Sequence, residues 1–107
     1  MTKYKTLDLW NERYPNDEEV YDYAGRLMKK SACGNPDSKF HPTIDHIRPQ
    51  NEKEKGKDIK ENIKICHRKT NEEKGDKFPH WEANGKKFKA KKKKATNGGY
   101  EIVSDEK

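Results

Sequence analysis

Asp45 and His46 are neighbours at the end of an apolar run, Thr43-Ile44-Asp45-His46-Ile47, followed by Arg48-Pro49. A carboxylate is a hard oxygen ligand of the kind Mg²⁺ prefers, and an imidazole titrates close to neutrality. Side by side, the two suit holding a divalent cation and taking a proton from a water beside it. Strand alternation aims neighbours at opposite faces. The expectation is that both lie at the strand end, where Ile47-Arg48-Pro49 begins a turn and the pleat relaxes. Downstream come Glu61-Asn62, then Asn71-Glu-Glu-Lys74-Gly-Asp76. Lys74 is three residues beyond Asn71 and shares its helical face, within reach of a phosphate. His67, four residues before Asn71, falls on that face too. His41, four before Asp45, falls on the Asp45 side of the strand and is a further candidate to line the site.

These residues need elements to hold them. Phe40–Ile47 reads as a strand, 50–60 as a charged loop with a single glycine at Gly56, and Ile63–Cys66 as a second short strand. His67–Lys74 reads as a helix closed by Gly75. Upstream, Asn16 or Asp17 can cap a helix running to about Lys30. Val20, Ala24, Leu27 and Met28 would form its apolar face, with Lys29 and Lys30 at its carboxyl end. Downstream, the basic run Lys86–Lys94 carries Phe88 and Ala90, and Asn97-Gly98-Gly99 is a turn signal. Tyr100–Ser104 then completes a β-hairpin. The expected fold is α+β and a single domain: an N-terminal helical segment over 1–32, a catalytic core over 33–77, and a basic hairpin over 78–107.

The order strand, loop, strand, helix, with Asp45-His46, Asn62 sixteen residues after His46 and Asn71 nine further on, resembles the HNH (ββα-metal) endonucleases over roughly 33–77. By that resemblance His46 is the general base and Asn62 fastens the long loop to the strand, holding His46 in place. Asp45 and Asn71 are the metal ligands. Asn71 stands where the family's namesake has a histidine, giving an H-N-N form that keeps an oxygen donor suited to Mg²⁺, with Mn²⁺ as a substitute. Many members carry two C-x-x-C pairs around a structural zinc. Here Cys33 is followed by Pro36, His67 and Thr70 stand at the second pair, and Cys66 is one out of register. A structural zinc needs four ligands, so none is expected, and the cysteines read as reduced core residues.

Composition fits. Only 28% of the 107 residues are hydrophobic while 41% are charged, and the net charge is +6, which favours a polyanionic partner. Acidic substrates in general, or anionic lipid, fit that charge equally well. Lys86, Lys87, Lys89, Lys91, Lys92, Lys93 and Lys94 are the expected DNA-backbone contacts, giving affinity rather than sequence selectivity. No stretch approaches the roughly 18 apolar residues of a membrane span, no signal peptide is visible, and two distant cysteines make no disulfide framework. The cytoplasm is the expected compartment. The function these features predict is metal-dependent DNA cleavage, nicking one strand per site, within a homodimer or a larger phage or restriction assembly. A nucleic-acid-binding accessory protein that keeps the fold without turnover, or a ribonuclease, are the alternatives.

Overall fold

Two antiparallel strands, β3 (Pro42–His46) and β4 (Ile63–His67), form the middle of the molecule and are covered on both faces. The computed structural model describes residues 2–106. Its radius of gyration, 13.2 Å, is that of a compact chain of this length, about 13 Å. Ile44↔Ile65 and Asp45↔Lys64 are cross-strand partners, and the ladder continues through His46↔Ile63. Ile44, Ile63 and Ile65 point to one face, against Leu9 and Trp10 of helix α1 (Thr6–Arg13) and Met28. The opposite face carries Thr43, Asp45 and Cys66, and meets helix α2 (Arg68–Lys74). Beyond it lies a three-stranded sheet of β5 (His80–Ala83), β6 (Lys86–Lys92) and β7 (Tyr100–Ser104). Trp81, Phe88 and Tyr100 of that sheet build the second apolar cluster with Ile47 and Ala24. Among the described residues the fold is thus α+β, with two α-helices and small antiparallel sheets. Among the described residues, no helix is long and apolar enough to cross a membrane.

The helix expected from Asn16 to Lys30 is not there. That stretch is a β-hairpin, β1 (Glu19–Tyr21) with β2 (Leu27–Lys29). Asp22 decides it. Its Oδ1 accepts the backbone N–H groups of Ala24 (3.0 Å) and Arg26 (2.9 Å), and Gly25 supplies a φ of +89°. A side chain that bonds its own backbone two residues on favours a turn over a helix, and glycine adopts a positive φ without strain. The apolar residues that looked like one helical face are divided. Val20 and Met28 pair across the hairpin and join the α1 cluster, while Ala24 joins the other.

The N-terminal helix instead spans Thr6–Arg13, upstream of the stretch expected to be helical. Lys5 gives no side-chain cap, and eight residues are too few for an isolated helix, so burial of Leu9 and Trp10 holds α1. The other expected elements are present with shorter or shifted ends. Gly75, at φ +54°, ends α2 by donating its N–H to the Asn71 carbonyl (2.9 Å). β6 and β7 form the expected hairpin, and β5 adds a strand through an Asn84-Gly85 turn with both φ angles positive.

Asp22 Oδ2 also accepts the N–H of His67 (3.0 Å), joining the hairpin to the start of α2. Asp22→Ala strips three backbone donors of a charged acceptor and should cost roughly 2–4 kcal/mol in urea unfolding. A loss under about 0.5 kcal/mol, the size of an ordinary surface substitution, would show that the turn forms without it.

Candidate functional site

The seam between β3 and α2 brings Thr43, Asp45, Asn71 and Lys74 together. Asp45 is 7% exposed, and its Oδ2 lies 3.3 Å from Nζ of Lys74, whose side chain is wholly buried. That Nζ also donates to the His46 carbonyl oxygen (3.2 Å) and sits 5.1 Å above the Trp81 ring. The ion pair lacks hydrogen-bond geometry at Oδ2, which is left buried without a hydrogen-bond partner. Burial pushes the Asp45 carboxyl up to about 6, outweighing the pull of Lys74. Asn71 donates its amide N–H to Thr43 Oγ1 (3.0 Å), and Thr43 Oγ1 donates to the Cys66 carbonyl (2.9 Å). Anchored through nitrogen, the Asn71 amide directs its oxygen away from Thr43.

His46 lies on the other face of β3. The relaxation expected at the strand end does not occur, because the ladder runs through His46. Its Nε2 is 2.8 Å from Oδ1 of Asp58, which also accepts Thr2 Oγ1–H (2.7 Å), while Oδ2 accepts the Lys3 N–H (2.8 Å). Desolvation pushes the Asp58 carboxyl up, but these three donors together outweigh it and bring it down to about 2. An ionised Asp58 can only accept, so His46 Nε2 carries the proton that joins them. Sequence reasoning had seen Asp58 only as part of a charged loop. Its signal was slight, an acid twelve residues after His46.

Asn62 is fully buried and does fasten the loop. Its Oδ1 accepts the Arg48 N–H (2.9 Å), and its Nδ2 donates to the carbonyls of Arg48 (3.1 Å) and Lys57 (2.8 Å). It makes no bond to the His46 ring, so any influence on His46 passes through the backbone. Gly56 closes the same loop against Arg48, where a Cβ would stand 1.7 Å from the carbonyl oxygen.

Several candidates fall elsewhere. His67 caps α2: Nδ1 accepts the Lys69 N–H (2.9 Å) and Nε2 meets the Lys39 carbonyl (2.6 Å), so both ring nitrogens are engaged. His67 is thus placed as the N-cap of α2. Lys74, expected to reach phosphate from a helix surface, is instead buried against Asp45. His41 lies just before β3, with its Nδ1 buried and without a hydrogen-bond partner. Burial, then the charge of Arg68, pushes its imidazole down. Cys66 is buried under β3 and Cys33 borders the α1 cluster; burial pushes both thiols up.

The lysine run is divided by strand alternation. Lys87, Lys89 and Lys91 share the outer face of β6 with cross-strand acids: Glu82 opposite Lys87, Glu101 opposite Lys91, and Asp105 at 4.0 Å from Lys89. Lys86 turns inward, its Nζ donating to the Ala24 carbonyl (3.4 Å). Lys92 and Lys94 are exposed, and Lys93 borders a cleft shared with Arg13, Lys60 and Lys64.

Among the described residues, no group of three or more His, Cys, Asp or Glu side chains is arranged to hold a metal ion. The hard oxygen donors at the seam are those of Asp45 and Asn71. Comparison with protein-family models, with curated proteins and with solved structures returns no match.

The raised Asp45 carboxyl has a measurable consequence in metal-free buffer. The folded protein holds this proton more tightly than the unfolded chain, whose aspartate titrates near 3.8. Its contribution to stability is therefore complete below pH about 4 and is lost as pH rises through about 6. A two-unit shift corresponds to about 3 kcal/mol. The stability of the wild type relative to Asp45→Asn should fall by that order between pH 4 and 7.5. A difference that stays flat with pH would mean that Lys74 keeps Asp45 ionised throughout.

Proposed function

We propose that this chain is a divalent-cation-dependent DNA endonuclease of the HNH type, with β3, the 47–62 loop, β4 and α2 as its ββα-metal core. The observation that carries the reading is the buried Asp45 carboxylate on the same face as Asn71, its Oδ2 meeting the Lys74 ammonium at 3.3 Å without a hydrogen bond, in a chain where His46 follows Asp45 directly. Buried polar atoms are nearly always hydrogen-bonded, and an oxygen that meets a cation without such a bond suits a divalent ion in that place. The donor set fits Mg²⁺, which binds through one or two protein oxygens and completes its shell with water and phosphate oxygens. When bound, Mg²⁺ or Mn²⁺ supplies charge stabilisation at the phosphodiester and its leaving 3′-oxygen.

The chain's own residues do the rest. Asp58 holds His46 by Nε2–H, which leaves Nδ1 to accept the proton of the attacking water. As that proton moves to Nδ1, the water oxygen bonds to phosphorus, the bond from phosphorus to the 3′-oxygen breaks, and the leaving oxygen is protonated from solvent. Asn62 and Gly56 fix the loop that carries Asp58. Lys74 offsets the Asp45 charge when no cation is present. Two observations favour a second reading, a DNA-binding accessory protein without turnover: Asp45 and His46 face opposite sides of β3, and Lys74 already pairs with Asp45.

Nicking of supercoiled plasmid separates the two readings. Mg²⁺ should support it and a chelator should abolish it. His46→Ala should lower the rate by roughly two to four orders of magnitude, with DNA affinity little changed. Asp45→Ala should also leave DNA bound and uncut. A wild type that binds duplex but never nicks it in Mg²⁺ or Mn²⁺ would hand the case to the accessory reading.

A further inference from the structure

A cleft of about 320 Å³ opens between the carboxyl end of α1, β4 and β7, with Ile47, Tyr100 and Ile102 among its lining residues. Arg13, Lys64 and Lys93 supply its charge. The Arg13 guanidinium is fixed by two bonds, to the carbonyls of Ile63 (2.9 Å) and Lys60 (2.8 Å). Both acceptors are neutral, so its charge is held in place and not cancelled. Lys64 is half-buried, and among the described residues neither its ammonium nor that of Lys93 has a hydrogen bond or ion pair. Lys60 differs, since Glu12 meets its Nζ at 2.8 Å. Glu61 and Glu101 border the cleft, but the register of β7 sets Glu101 beside Lys91 on the outer face, leaving Glu61 as the rim carboxylate.

The cleft thus gathers Arg13, Lys64 and Lys93 against the single rim carboxylate of Glu61, an excess of positive charge that favours an anionic ligand. Lys64 is the direct cross-strand partner of Asp45, so the cleft borders the face that carries the seam. We propose that this cleft seats the phosphodiester backbone of double-stranded DNA, with Lys64, Arg13 and Lys93 as its phosphate contacts. This deepens the endonuclease reading and rests on it for the choice of DNA. It also reassigns the principal backbone contacts away from Lys87, Lys89 and Lys91, which cross-strand acids already face.

The test is binding of a short DNA duplex in a chelating buffer, followed by fluorescence anisotropy across a salt series. Each lost phosphate contact removes about 0.9 from the slope of log K against log salt. Lys64→Gln with Lys93→Gln should therefore flatten the slope by roughly 1.8 and weaken binding to every sequence. The triple change Lys87→Gln, Lys89→Gln, Lys91→Gln should leave the slope nearly as it was. An unchanged slope in the double variant, or the larger loss in the triple, overturns the cleft. So does a loss seen with an RNA hairpin and not with the DNA duplex. Lys64→Met should raise the thermal midpoint, because it removes a half-buried charge from between two others; a fall would assign Lys64 a structural role. Plasmid nicking run alongside keeps the two ideas apart. Nicking with no slope change sinks the cleft alone, and a slope change without nicking sinks the endonuclease alone.

Discussion

Two five-residue strands cannot persist alone in water, and each face of β3–β4 must be covered for either strand to exist. With little apolar sequence to spend, the chain covers them with two small clusters instead of one large core. Leu9, Trp10 and Met28 close one face, and the aromatic sheet of Trp81, Phe88 and Tyr100 helps close the other. Tyr23, from the turn of the first hairpin, reaches the second cluster and meets Phe88 edge-on at 4.9 Å. The hairpin thus serves both sides, which is why its turn is so closely specified.

Buried polar groups supply the order that a larger core would otherwise impose. Asp22 joins the first hairpin to the start of α2, Asn62 ties the long loop to β3, and Lys74 joins α2 to β3. Each links segments distant in sequence, and a polar group buried without its partner costs more than an apolar contact of the same size. These anchors favour one arrangement over other compact ones.

What could be read from the sequence was whatever depends on near neighbours. That Lys74 shares the Asn71 side of α2 follows from the helix period and the end of α2 from Gly75, whereas the meeting of Asp45 with Asn71 was implied only by the family resemblance. The first hairpin was hidden because Val20, Ala24, Leu27 and Met28 have helical spacing, whereas the Asp22 turn that overrides it draws on His67, far along the chain. Helix α1 lacks a capping signal and exists through packing. The β5 strand did carry a local mark, Asn84-Gly85, which was passed over beside the stronger turn at 97–99. Asp58 and the burial of Lys74 depend on where the 47–62 loop and the third sheet come to rest, and neither has a period to betray it.

The contact of Asp58 with Thr2 and Lys3 carries a practical lesson for anyone handling the protein. Thr2 and Lys3 grip the same carboxylate that steadies His46, so this segment is part of the imidazole's scaffold. An affinity tag or fusion partner joined there would pull on a hydrogen-bonded chain only two links from the ring. The opposite end is less entangled with that chain, since Asp105 and Glu106 touch Lys87, Lys89 and His80 on the outer sheet. Handles for purification or labelling belong at the carboxyl end.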